Sequence, residues 1–141
     1  MSPHAPIPES HRDLLTRPID VALVTVMPDG QPQATVVWCS LEGPHLAVNT
    51  MRGFRKERNM RARPRVAVLA VDPGEPGRWI EVQGTVELVD EGALDHLDLL
   101  TTLYTGAEHY FGGVLPASYA ETEAPVIARI TPIAVRTETS Q

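Results

Sequence analysis

Short β-branched runs separated by turn chemistry constrain this chain more than any other feature. Residues 19–27 are apolar and β-branched, and Pro28-Asp29-Gly30 behind them fixes a tight turn. Residues 31–41 alternate and return as the partner strand, so 19–41 reads as a hairpin. Glu42-Gly43-Pro44 turns the chain into a third antiparallel strand at 45–49. Residues 65–71 form a fourth, almost wholly apolar and therefore expected to be buried on both faces. The loop Asp72-Pro-Gly-Glu-Pro-Gly77 leads to a long fifth strand at 78–89, where Gly84 marks a bulge or bend, and 125–137 is the sixth. Between them lie a short helix at 9–16, a basic helix at 54–62, and a helix at 91–104 with apolar residues at helical spacing. Residues 105–124 are aromatic, Gly-rich and helical in part, and the Pro-rich 1–8 is a loose arm. The whole describes one mainly β domain, a six-stranded antiparallel barrel with helical attachments, since closure removes exposed strand edges. So small a barrel has no interior room for a large ligand. A ligand lies outside it, with a second copy of the chain as the natural cover.

Charge is the second constraint. Seven of the twelve Lys and Arg residues fall between Arg52 and Arg65, against one acid, Glu57. That segment carries +6 on a chain whose net charge is −6. Concentrated positive charge attracts anions, and a helix N-terminus adds unpaired N–H groups and a partial positive charge. Phosphate binding is one reading, and a solvated basic face or a nucleic-acid contact are the others. The acidic remainder, with no aromatic residues interleaved among the arginines, argues against nucleic acid. No apolar run approaches the roughly eighteen residues that would span a membrane, and no signal-peptide core is present, so a cytoplasmic protein is expected. Cys39 is the single cysteine and the five histidines lack metal-ligand spacing, so no metal site is expected.

Thr50, the Arg55-Lys56 pair, Asn59 and Pro64-Arg65-Val66 together resemble the phosphate-binding segment of the pyridoxamine 5′-phosphate oxidase-like split-barrel superfamily. The wording is most similar to the actinobacterial branch that uses the deazaflavin coenzyme F420. The likeness is strong over residues 10–90 and holds in outline beyond. It implies a Greek-key split β-barrel and a homodimer with cofactor sites at the interface. By the same resemblance Thr50, Arg55 and Lys56 hold the cofactor phosphate, with Arg58 and Asn59 nearby, although Asn59 can instead tie down the helix. Gln33, Thr35 and Val37 lie on the strand that runs along the cofactor ring, and Trp79 matches a polar ring contact. There are departures. Thr35 replaces an Arg that contacts the flavin, and Ser40 replaces a Lys that grips substrate phosphate. Phe54 replaces a small hydroxyl residue, and the C-terminal Arg-x-His substrate motif is absent. These losses point away from pyridoxamine phosphate oxidation. They favour an F420-dependent oxidoreductase passing a hydride to a small conjugated acceptor, with an FMN-dependent enzyme or a non-catalytic carrier as alternatives. No catalytic residue is assigned, and His109, Tyr110 and Tyr119 are the candidate proton donors.

Overall fold

The computed structural model describes residues 4–139. Seven strands form one antiparallel sheet: β1 (Val21–Val26), β2 (Pro32–Val37), β3 (Cys39–Glu42), β4 (His45–Met51), β5 (Arg65–Val71), β6 (Trp79–Val89) and β7 (Pro125–Glu138). Helix α1 (Arg55–Ala62) joins β4 to β5, and α2 (Ala93–Thr105) follows β6. Short 3₁₀ helices occupy Glu9–Leu15 and Ala117–Glu121. The strand order β2-β1-β5-β6-β7-β4-β3 puts two sequence neighbours, β2 and β3, at opposite edges of the sheet.

That order corrects the expected count of six strands and the expected continuous ladder. Residues 31–41 do not form one hairpin arm. Val37 pairs with Val21 of β1, whereas Cys39 pairs with Val48 of β4, and only Trp38 separates the two. The sheet therefore curls until its edges are joined through the chain but not by a ladder, consistent with a split barrel. Side chains bridge that seam. The Tyr104 hydroxyl of α2 accepts the Cys39 N–H at 3.2 Å and donates to the Ile19 carbonyl at 2.8 Å. Its ring stacks on Trp38 with centroids 5.1 Å apart.

The predicted turn at Pro28-Asp29-Gly30 forms, with Gly30 in the left-handed region at φ 89° and the Gln31 N–H on Asp29 Oδ1 at 3.0 Å. Gly84 sits at the register shift in β6, where a Cβ would lie 2.4 Å from the Thr131 carbonyl oxygen, so only glycine fits. Strand β5 differs from its expectation of two buried faces. Val66, Val68 and Ala70 enter the core, while Leu69 and Val71 are exposed on the other face, because nothing among the described residues covers that side of the sheet. Leu14 and Leu15 of the first 3₁₀ helix are fully buried in the same core. Where described, the N-terminal arm is docked: the Ala5 N–H bonds to the Pro132 carbonyl and Ile7 packs on the core. Its residues 1–3 lie outside the described residues. No helix among the described residues is long and apolar enough to cross a membrane.

Candidate functional site

The basic segment starts where β4 ends. Gly53 adopts φ 91°, which turns the chain into α1 at no side-chain cost, and Phe54 caps the helix without a side-chain hydrogen bond. Glu57 supplies the missing acceptor by reaching back to the Gly53 N–H at 2.8 Å. Its carboxylate is fully buried and also accepts from Arg61 Nε at 2.8 Å, Arg61 Nη2 at 3.0 Å and Arg52 Nη1 at 3.3 Å. Burial pushes this carboxyl up, but the Arg61 and Gly53 bonds and the two guanidinium charges outweigh it and hold it below its ordinary value. Arg52 turns its other face to Asp90 at 2.9 Å, and Arg63 donates to the Val26 carbonyl at 2.8 Å. Arg52 and Arg63 thus hold α1 on the barrel, and Arg61 braces Glu57 within the helix.

Lys56 is different. It is half-buried, and burial alone lowers its ammonium pKa, no carboxylate acting on it. Its Nζ lies 6.0 Å from the Phe54 ring centroid. Together with Asn49, Thr50 and Phe54 it lines a cleft of ≈ 200 Å³ that Val37, Trp38 and Tyr110 also line. Thr50 is 5% exposed and its hydroxyl has no hydrogen-bond partner among the described residues, and neither does Asn49 Oδ1. Buried polar atoms without partners are uncommon, and each asks for an explanation. A desolvated ammonium beside an unpartnered hydroxyl, close to the first turn of a helix, has the donors a phosphate requires.

The description of the pyridoxamine 5′-phosphate oxidase family matches residues 7–137. The chain belongs to that family. Among solved structures it is similar to an F420 reductase, at 34% identity over 92% of this chain and 98% of that one, with a TM-score of 0.78. A conserved hypothetical protein from Mycobacterium tuberculosis is 25% identical over 94% of this chain and 84% of that one, with a TM-score of 0.69. A putative pyridoxamine 5′-phosphate oxidase from Listeria innocua shares the fold at 22% identity, with coverages of 84% and 86% and a TM-score of 0.60. No curated protein matches the chain.

In this family member the sequence-derived residues fall into separate groups. Thr50, Lys56 and Val37 meet in the cleft. Arg55 and Arg58 instead line a groove on another side of α1, with Arg61 and Arg63. Asn59 is fully buried and its amide is committed: Nδ2 donates to Thr25 Oγ1 at 3.0 Å and reaches Gln33 Oε1 at 3.4 Å, while Oδ1 accepts from Arg55 Nε at 3.0 Å. That is the tying-down alternative, made to the side chains of β1 and β2 rather than to the helix backbone. Gln33 shares this network, and the Thr35 hydroxyl is buried without a partner on the same strand. Trp79 lies elsewhere in the chain, on the exposed sheet face with Ala22, Val24 and Leu69, its ring 5.7 Å from the Arg136 guanidinium.

Of the proton-donor candidates only Tyr110 reaches the cleft, and burial raises its phenol pKa. His109 is exposed and faces Asp98 at 3.2 Å, and Tyr119 is exposed. Sequence reasoning missed Glu57, Asn49 and His96. Glu57 carried a signal, being the lone acid inside the arginine run; the other two depend on contacts between β4 and α2 that sequence spacing does not reveal. Ser40 bonds through Oγ to His96 Nε2 at 3.0 Å. Among the described residues no cluster of metal ligands exists.

Proposed function

We propose that the protein is an F420-dependent oxidoreductase that reduces a small conjugated organic acceptor. The carrying observation is the cleft in which Thr50 Oγ1 and Lys56 Nζ lack protein partners, on a chain similar along its length to an F420 reductase. In this reading Thr50 and Lys56 hold the cofactor phosphate and the β2 edge from Gln33 to Val37 lies along its ring. When bound, the reduced cofactor supplies a hydride, and the acceptor takes up one proton in addition. Tyr110 is the side chain placed to border that acceptor. Arg55 and Arg58, outside the cleft, suit the acidic oligoglutamate tail that distinguishes F420 from FMN. An FMN-dependent enzyme is the second reading, favoured by the family match itself.

We infer a homodimer as well. The cleft, at ≈ 200 Å³, is smaller than the roughly 300–1,000 Å³ of complete ligand sites, and a wall from a second copy would enlarge it. The exposed faces of β1, β2, β5 and β6, with Val24, Val36, Leu69, Val71 and Trp79, offer an apolar surface for the partner. Parallel titrations with F420 and FMN test the assignment. F420 should bind more tightly, and tighter FMN binding would reverse the ranking. Light scattering should give twice the 15.4 kDa chain mass.

A further inference from the structure

Asn49 and His96 form a unit that the phosphate reading leaves unexplained. Asn49 Nδ2 lies 2.9 Å from the Ala93 carbonyl oxygen at the start of α2. A carbonyl only accepts, so that contact fixes which end of the amide is the NH₂. The second NH₂ hydrogen points to His96 Nδ1 at 3.1 Å, which must accept. The imidazole proton is therefore on Nε2, donating to Ser40 Oγ at 3.0 Å. His96 is 7% exposed, and its pKa is lowered first by burial and then by Arg129, with Glu42 opposing. Neutral His96 and the Ala93 carbonyl together hold the amide of Asn49, a residue of the cleft wall, in one orientation, which leaves its Oδ1 buried and without a partner among the described residues. An orphaned acceptor held this firmly costs stability unless something else serves it.

We propose that Asn49 is a ligand-recognition residue whose Oδ1 accepts a hydrogen bond from a hydroxyl or ring N–H of the bound cofactor, and that His96 is the positioning residue that fixes its amide. The inference rests on the cofactor reading of the cleft and adds a residue that discriminates ligands by their donors. Protonated His96 would present hydrogens at both ring nitrogens. Nδ1 could no longer accept, the amide would be driven to turn, and the acceptor would leave the cleft wall. Ser40, Asn49, Glu42 and Arg129 are the polar and charged groups that face the ring.

Three probes separate the sources of the donor: FMN, riboflavin, which lacks the phosphate, and lumiflavin, which lacks the ribityl chain as well. Asn49→Leu should bind FMN and riboflavin about five- to tenfold more weakly than wild type, one hydrogen bond's worth. Lumiflavin weakened equally assigns the donor to the ring N–H, and lumiflavin unaffected assigns it to a ribityl hydroxyl. The wild-type protein gives a second readout that does not depend on a variant folding. Riboflavin carries no group that titrates between pH 8 and 5, so its affinity should fall in step with protonation of His96, followed by the imidazole NMR resonances. FMN binding unchanged in Asn49→Leu, or riboflavin affinity indifferent to His96 protonation, overturns the proposal. Lys56→Ala separates this failure from that of the site: if it too leaves FMN binding unchanged, the cleft reading itself is wrong.

Discussion

Lys56 and Glu57 are neighbours in the sequence and opposite in circumstance. Glu57 is fully enclosed and receives four donors, two guanidinium groups among their sources. Lys56 is half-buried and acted on by no carboxylate. The basic segment of this chain is therefore not a uniform positive surface. Arg52, Arg61 and Arg63 serve as structure, since the first two pair with Glu57 and the third bonds to backbone, although the Arg61 side chain stays exposed. What remains is Lys56 in the cleft, Arg55 and Arg58 in the groove on another side of α1, and Arg65 at the start of β5, away from both. Counting charges locates the segment; only the pairing shows which charges are available.

Substitutions can break that contrast. Glu57→Ala should have the largest effect, lowering the unfolding free energy by about 3 kcal/mol in urea titrations. That is the lower end for a broken buried pair, because Arg52 and Arg61 can both reach water. Lys56→Ala should leave the urea midpoint near wild type and weaken phosphate-bearing cofactor by about 1.5–3 kcal/mol, or roughly ten- to a hundredfold in equilibrium titrations. Arg61→Ala sharpens the comparison from the other side. It should lower stability by about 1 kcal/mol, the scale of a partly exposed ion pair, and leave cofactor affinity unchanged.

A smaller effect is expected at a second paired cluster, where Arg78 bridges Asp13 and Asp72 and ties the first 3₁₀ helix to the loop before β6. The Arg78 hydrogen bond holds Asp13 at a pKa of about 2, below the ordinary 3.8. A depressed carboxylate contributes stability above its unfolded value and loses it as the pH falls through the folded one. Acid unfolding should therefore lose a contribution between about pH 4 and pH 2 that Asp13→Asn lacks. His96 adds a loss of the same sign at higher pH. Its folded value is lowered, so its contribution is present above 6.5 and declines as the pH falls below that.

Much of the fold was legible because local chemistry decides it. Pro28-Asp29-Gly30 dictates its turn and Pro64 the end of α1 without help from distant residues, and Gly84 signals a bulge whose cause is the close approach of Thr131. The failures lie where partners come from far along the chain. Residues 31–41 alternate like one strand, yet Val37 and Cys39 choose partners at opposite ends of the sheet. Strand β5 is apolar on both faces, which the pattern equates with burial inside one chain, although an outer face can be left for a partner. In the cleft, the meeting of Thr50 and Lys56 was legible through a family resemblance that sets both in one segment. Asn59 was legible only as a choice between two roles, since its bonds to Thr25 and Gln33 join elements more than twenty residues apart. Asn49 and His96 are linked by side chains 47 residues apart in sequence, which no spacing rule anticipates.

The central claim is that the ammonium of Lys56 meets the cofactor phosphate. The most direct measurement is the affinity of wild type and Lys56→Ala for FMN and for riboflavin, four dissociation constants obtained under one condition of salt and pH. The phosphate is the group absent from riboflavin, so the substitution should weaken FMN by about ten- to a hundredfold and leave riboflavin unchanged. Equal loss for both ligands, or no loss for either, would contradict the account, because the ammonium would then not be acting on the phosphate.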